Sequence, residues 1–304
     1  MARLDPIAAS PMGKLVVRHF AGHVSHTEFF DDEPLRIVHL TDQHVGRVTP
    51  LAVQVDAIAA ANAEKPDVVV ISGDFVAHSQ AYLDDLTELM RGIEAPVFAV
   101  LGNHDHWCGA DAVEQALIRG GVEVLRNQNT TISIRHRPLQ IVGLDDAYTG
   151  HADVERAMRG FDPRLPSIAL SHIAEEADRL WSLGVPLVFS GHTHAGQITV
   201  ARLHELAVGR LAGHKYIHGM YGQRRGEGAV YVGAGIGAAM FPLRLGDRAR
   251  REVAVFDLGA APGSIVEHHD EQLARPGRAP TAEKTEERRQ AVVKKVAARQ
   301  ARRR

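Results

Sequence analysis

Short runs of apolar, mostly β-branched residues alternate with longer helix-like segments from about residue 36 onward. LRIVHL (35–40) is followed by a helical pattern over 50–65, and DVVVIS (67–72) is the next strand-like run. Similar runs recur as far as EVAVFDL (252–258). This alternation is typical of α/β architecture, and it predicts too many strands for one small sheet.

Polar residues stand directly after five of these strand-like runs. They form the short motifs Asp42-Gln43-His44, Gly73-Asp74, Gly102-Asn103-His104-Asp105, Ser171-His172 and Gly191-His192-Thr193-His194. In open α/β sheets, ligand sites gather at the carboxyl ends of strands. We therefore expect the five motifs to converge on one site.

The side chains of these motifs suit divalent metal ions. Two aspartates, four histidines and an asparagine are available, namely Asp42, His44, Asp74, Asn103, His172, His192 and His194. Such nitrogen and oxygen donors accept Mn²⁺, Fe²⁺ or Zn²⁺, and the lack of thiolates argues against a structural zinc site. Seven ligands are too many for one ion, so the set predicts a catalytic centre with more than one metal.

In this order the motifs resemble those of calcineurin-like metallophosphoesterases, and the resemblance covers about residues 36–257. The segment after His194, Ala195-Gly196-Gln197, is similar to a bacterial subgroup reading G-H-T-H-G-G-Q, with Ala195 in place of the first of those glycines. The resemblance implies an α/β fold, a four-layer αββα sandwich of two mixed sheets flanked by helices.

The resemblance also implies a role for each motif residue. Asp42, His44 and His194 would hold one metal, Asn103, His172 and His192 the other, and Asp74 would bridge them. The cofactors would be two divalent ions, Mn²⁺ first, with Fe²⁺ or Zn²⁺ as alternatives. His104 would stabilise the transition state or protonate the departing oxygen, and Asp105 would orient His104 and raise its pKa.

A dinuclear metal-dependent phosphohydrolase is the function that this resemblance implies. It would cleave a phosphodiester or pyrophosphate bond by attack of a hydroxide bridging the metals. The substrate would be a phosphorylated small molecule or a lipid-linked compound. Two alternatives stay open, a phosphomonoesterase such as a protein phosphatase and a non-catalytic scaffold that keeps the fold.

Charge is divided unevenly along the chain. The net charge is −2, but residues 284–304 carry nine Lys/Arg against two Glu, or +7, which leaves −9 for residues 1–283. We expect a domain over 35–258, an N-terminal extension over 1–34, and over 259–304 a linker followed by a basic tail that is disordered or marginally helical. The tail could contact an anionic membrane, and no specific nucleic-acid partner is predicted.

The expected location is cytoplasmic, with a peripheral position at the inner membrane face as an option. Cys108 is the single cysteine, which fits a reducing compartment, and the first residues contain no long apolar run. Among the other histidines, His39, His78 and His106 are expected to support the site or lie at the surface. His214 and His218 are candidates for lining a substrate pocket.

Overall fold

The computed structural model describes residues 15–30, 32–196, 212–222, 228–238, 244, 246–265 and 271–303. Its strands are β1 (Val16–Ala21), β2 (Leu35–Leu40), β3 (Val68–Ser72), β4 (Val97–Val100), β5 (Val122–Val124), β6 (Gln128–Ile134), β7 (Arg137–Gly143), β8 (Ser167–Leu170), β9 (Leu187–Ser190), β10 (Gly219–Tyr221), β11 (Ala229–Val232) and β12 (Glu252–Leu258). Its α-helices are α1 (Thr27–Phe30), α2 (Leu51–Ala63), α3 (Leu83–Arg91), α4 (Asn103–Cys108), α5 (Ala110–Arg119), α6 (Val154–Ala157), α7 (Ala177–Ser182) and α8 (Ala282–Arg303).

The strands form two mixed sheets of six strands each. The first has the order β1-β12-β2-β3-β4-β5, and the second has the order β10-β11-β9-β8-β7-β6. In the first sheet β2 to β5 run parallel, while β12 is antiparallel to β2. In the second sheet β7, β8, β9 and β11 run parallel. The predicted α/β class with two mixed sheets is confirmed.

Strand β3 shows how the residues build the layers. Successive side chains of a strand point to opposite faces, and here both faces are apolar. Val68 and Val70 pack between the sheets, against a core that includes Phe189 of β9. Val69 and Ile71 pack against the helical layer of α2, α3 and α5 instead. A third apolar cluster joins the second sheet to α6 and α7, so the molecule has four layers, helices, sheet, sheet and helices.

The parallel strands bring their carboxyl ends to one rim of the sandwich. The chain leaves β2, β3 and β4 in the first sheet and β8 and β9 in the second sheet at this rim. A direct contact joins the two sheets there, because the imidazole of His172 after β8 lies 2.7 Å from the carbonyl oxygen of Ser72 at the end of β3. The rim therefore collects residues that are far apart in the sequence.

The described part of the segment expected to be an N-terminal extension contributes a strand. β1 pairs in parallel with β12, and Val17 lies opposite Val253. Arg18 donates a hydrogen bond from Nε to Oε2 of Glu252 at 2.6 Å, inside the protein. The polar Arg18 and His19 interrupt the apolar run of this strand, which explains why its sequence pattern is weak. Residues 1–14 lie outside the described part.

The basic segment expected to be disordered or marginally helical forms a helix of 22 residues in the structure, α8. Its composition is poor in large apolar residues, but Val292 is buried against the body of the protein. Tertiary contacts therefore support a helix that composition alone does not predict. None of the described helices combines the length and the apolar character needed to span a bilayer.

Candidate metal centre

One group of potential ligands contains Asp42, His44, Asp74 and His194. Their ligand atoms all lie within 4.8 Å of one another. Nε2 of His44 is 3.0 Å from Nε2 of His194 and 3.5 Å from Oδ2 of Asp74. Nε2 of His194 is 3.3 Å from Oδ1 of Asp42. These four side chains come from the ends of β2, β3 and β9, as the sequence predicts.

A second group contains Asp74, His172 and His192, again with ligand atoms within 4.8 Å. Oδ1 of Asn103 joins it, at 3.2 Å from Nε2 of His172 and 2.9 Å from Nδ1 of His192. Oδ2 of Asp74 is 3.4 Å from Nε2 of His172. Asp74 thus belongs to both groups, and the structure brings together all seven side chains that the sequence singles out.

The backbone at these positions is strained. Five of the seven residues have positive φ, with values from 46° to 74°. They are Asp42, His44, Asp74, His192 and His194. Left-handed backbone is uncommon for residues other than glycine and costs roughly 1–2 kcal/mol each. Such strain clusters at functional sites, where the surrounding structure holds side chains in a fixed arrangement.

Glycines allow the backbone to approach the carboxylates closely. A Cβ atom at Gly102, just before Asn103, would lie 2.3 Å from Oδ1 of Asp74. A Cβ atom at Gly191, just before His192, would lie 2.4 Å from Oδ2 of Asp42. Both distances are far below van der Waals contact. The glycines in these two motifs are therefore required by the space around the carboxylates.

Hydrogen bonds and burial prepare the imidazoles as ligands. Nδ1 of His172 donates to the carbonyl oxygen of Ser72 at 2.7 Å, which leaves Nε2 free to face Asp74. Burial lowers the pKa of both His44 and His194 to about 3, so each ring is neutral near pH 7 and carries a free lone pair. Neutral imidazole is the form that binds metals.

The two buried carboxylates, Asp42 and Asp74, favour the binding of cations at this site. Burial opposes ionisation of Asp74, but the charges of His172 and His104 hold its pKa well below the usual value. Burial likewise opposes a charge on His172, yet the Asp74 carboxylate outweighs it and raises the pKa of His172 to about 10. Two buried carboxylates face these imidazoles, and the proton that the Asp74 carboxylate holds on His172 occupies a position that fits a divalent cation.

A family model described as calcineurin-like phosphoesterase matches residues 35–196, more than half of the chain. The chain belongs to the calcineurin-like metallophosphoesterases. Phosphodiesterase YaeI of Escherichia coli (strain K12) is 31% identical to this metallophosphoesterase over 240 residues, covering 76% of this chain and 85% of that protein. An uncharacterized metallophosphoesterase of Bacillus subtilis (strain 168), YkuE, is 33% identical over 229 residues, covering 73% of this chain and 78% of that protein.

A further relative is UDP-2,3-diacylglucosamine pyrophosphatase LpxG of Chlamydia trachomatis serovar D. It is 27% identical to this metallophosphoesterase over 217 residues, which covers 55% of this chain and 65% of that protein. Membership in this family confirms the predicted class of enzyme, a metal-dependent hydrolase of phosphoric esters.

His104 of the metallophosphoesterase lies beside the two ligand groups. Its ring centre is 4.7 Å from that of His44, and its backbone N–H donates to Oδ1 of Asp74 at 2.8 Å. Nδ1 of His104 donates to the carbonyl oxygen of Ala77 at 2.6 Å. This bond fixes the ring and leaves Nε2 available for proton transfer.

The expectation that Asp105 orients His104 is wrong. Oδ1 of Asp105 accepts hydrogen bonds from the backbone N–H groups of Phe75 and Val76, at 2.9 and 3.2 Å, and Oδ2 accepts from Gly102 at 2.9 Å. Burial and the nearby Asp74 carboxylate raise the pKa of Asp105 to about 7. Asp105 thus ties together the loops that follow β3 and β4, and the Ala77 carbonyl is the partner of the His104 ring.

Three aromatic side chains beside the site belong to none of the five sequence motifs. The ring centre of Tyr148 lies 5.2 Å from that of His192, and the ring centre of Trp107 lies 4.8 Å from that of His104. The ring centre of His214 also lies 5.2 Å from that of His192, so this ring stands beside the second ligand group. Tyr148 is revealed only by its contact with a distant segment, whereas Trp107 stands three residues after His104 on α4, a spacing that places both on one side of the helix.

Three other histidines that the sequence singled out contact partners outside the two ligand groups. Nε2 of His39 lies 2.8 Å from the hydroxyl oxygen of Ser72, and that of His106 lies 2.7 Å from Oδ1 of Asp145. Nε2 of His218 lies 3.2 Å from Oε2 of Glu252 in the buried cluster around Arg18, outside both ligand groups. His39 and His106 are thus buried rather than at the surface, and none of the three histidines belongs to either ligand group.

Proposed function

We propose that this metallophosphoesterase hydrolyses a phosphodiester or pyrophosphate bond at a dinuclear metal centre. In this proposal Asp42, His44 and His194 hold one ion, and Asn103, His172 and His192 hold the other. Asp74 bridges the two ions. The observation that carries the proposal is the position of Asp74, whose carboxylate oxygen Oδ2 lies 3.5 Å from His44 and 3.4 Å from His172.

The metal ions, His104 and the buried rim have separate roles in the proposed reaction. When bound, a pair of divalent ions neutralises the phosphoryl charge and supplies hydroxide near neutral pH. His104 stands beside them and gives a proton from Nε2 to the departing oxygen, while its bond to the Ala77 carbonyl keeps the ring in place. The buried rim excludes bulk water from the imidazoles and carboxylates, which strengthens the electrostatic interactions among them.

The names of the relatives support a diester or pyrophosphate substrate over a monoester. One relative is named a phosphodiesterase, and another is named a pyrophosphatase that acts on UDP-2,3-diacylglucosamine. For this chain we propose a phosphorylated small molecule or a lipid-linked compound of the same bond class. Mn²⁺ is the proposed metal, because the site mixes imidazole nitrogens with carboxylate and amide oxygens and has no thiolate.

Paired assays on one protein preparation test the bond class. Metal-free protein reconstituted with Mn²⁺ is expected to hydrolyse bis-p-nitrophenyl phosphate at least about tenfold faster, in kcat/KM, than p-nitrophenyl phosphate, and a chelator is expected to stop both reactions. The variant His192→Ala, prepared in parallel, controls for contaminating phosphatases. A preference for the monoester would support a phosphomonoesterase, and no turnover with any divalent metal would support a scaffold.

We also propose a peripheral contact between α8 and anionic membranes. The exposed Lys284 and Lys294 of this helix can reach anionic head groups. The protein is expected to co-sediment with phosphatidylglycerol vesicles more than with phosphatidylcholine vesicles, and the K284A/K294A variant is expected to lose this difference. Equal sedimentation of both proteins with both vesicles would contradict the contact. The cytoplasmic location stays a prediction.

A further inference from the structure

We propose that helix α8 determines the substrate class of this site. Its residues Arg288 and Lys295 bind a second anionic group of the substrate, separate from the phosphorus atom that is attacked. The proposal rests on the proposed function, because it concerns the substrate of the same centre. The metallophosphoesterase would then prefer substrates that carry an additional phosphate over esters with a single anionic group.

The helix is fixed above loops that belong to the site. Arg289 donates to the carbonyl oxygen of Gly150 in the loop after β7, and Arg299 donates to the carbonyl oxygens of Cys108 and His78. Val292 lies between these contacts, with 8% of its surface exposed. The anchored face of α8 therefore presents its cations to helix α4 and to the loops that follow β3 and β7.

Arg288 makes a cation–π contact with an aromatic ring that lies beside the site. Its guanidinium carbon lies 3.7 Å from the ring centre of Tyr148. The same ring lies 5.2 Å, centre to centre, from the ring of His192 in the second ligand group. Arg288 is therefore separated from a proposed metal ligand by a single tyrosine ring.

Lys295 also contacts an aromatic ring beside the site, next to His104 rather than His192. Its Nζ atom lies 4.0 Å from the ring centre of Trp107. That ring lies 4.8 Å, centre to centre, from the ring of His104, the proposed proton donor. Two cations of one helix thus stand one aromatic ring away from two different histidines of the centre. This arrangement sets positive charge around the mouth of the site.

Charge explains what these cations do. Residues 1–283 carry a formal charge of −9, which repels anionic substrates, and residues 284–304 carry +7. The proposed metals neutralise the phosphoryl group under attack, but they do not neutralise a second anionic group at the rim. A cation–π contact at an exposed position is weaker than a charge-assisted hydrogen bond to phosphate. Arg288 and Lys295 can therefore turn from the rings towards such a group.

Two ligands that differ by one phosphate test this assignment. Titration calorimetry with Mn²⁺-loaded protein compares thymidine 5′-monophosphate with thymidine 3′,5′-bisphosphate, and turnover is measured on the 5′-p-nitrophenyl esters of both. The wild-type protein is expected to bind the bisphosphate about tenfold more tightly. The R288A/K295A variant is expected to lose this preference, with an increased KM for the bisphosphate ester and an unchanged kcat for both esters.

The K284A/K294A variant is the matched control, because it removes the same charge from exposed positions of the same helix. It is expected to keep the preference for the bisphosphate. The proposal is overturned if wild-type protein binds both ligands equally, if R288A/K295A keeps the preference, or if both variants lose it alike. Binding preference without turnover of either ester would contradict the proposed function alone and support the role of Arg288 and Lys295.

Discussion

Replacing Asp74 with asparagine is expected to lower kcat/KM by about 10³-fold and to leave fewer than two metal ions bound per chain. Asparagine has the shape of aspartate and keeps an oxygen that can accept the N–H of His104. It removes the negative charge that faces both His44 and His172. Without that charge, the repulsion between two cations at short distance is no longer compensated. Metal content by atomic emission and steady-state kinetics measure the two effects.

Asp145→Asn is the control for this experiment. Asp145 is also a buried carboxylate paired with a histidine, since its Oδ1 lies 2.7 Å from Nε2 of His106, and it accepts a second bond from Arg126. It belongs to neither ligand group. This variant is expected to lose stability while keeping its metal ions and most of its kcat. If Asp74→Asn keeps two ions, Asp74 does not bridge them.

Replacing His104 with alanine is expected to lower kcat by about 10²–10³-fold while the metal content stays at the wild-type level. His104 has no place in either ligand group, but its ring lies next to that of His44. The loss should be larger for an alkyl ester than for a p-nitrophenyl ester, because a poor leaving group depends more on protonation. Steady-state rates on both esters, together with metal analysis, measure this.

His78→Ala is the matched control for this substitution. The ring centre of His78 is 5.1 Å from that of His104, but its side chain is exposed at the surface. Its removal is expected to change kcat by less than about threefold. Loss of metal from His104→Ala in step with its loss of activity would show that His104 is a ligand rather than a proton donor.

Continuous apolar runs made the central strands predictable. DVVVIS is β3 almost to the residue, because a strand buried on both faces has no polar positions. β1 contains Arg18 and His19, and the partner of Arg18 is Glu252, more than two hundred residues away. Such a pairing cannot be recognised within a local window. For a similar reason the sequence left open whether the segment of α8 is disordered or marginally helical, since this helix is held by distant partners such as Gly150 and Cys108.

The candidate ligands were predictable because each stands in a short motif at the end of a strand, and the topology brings those ends together. The role expected for Asp105 failed because adjacency in sequence does not decide where a side chain points. Residue 105 turns back to the backbone of Phe75 and Val76, whereas His104 faces the centre. The position of Tyr148 depends on the conformation of the loop after β7, which no local pattern specifies, whereas Trp107 follows His104 by three residues on α4.

Anomalous diffraction from crystals of the Mn²⁺-reconstituted protein, recorded at the manganese edge, tests the dinuclear centre most directly. Two peaks about 3.5–4 Å apart are expected. One should lie among Asp42, His44 and His194, and the other among Asn103, His172 and His192, with Asp74 in contact with both. A single peak at full manganese occupancy, or a pair of peaks that Asp74 does not touch, would contradict the proposed centre.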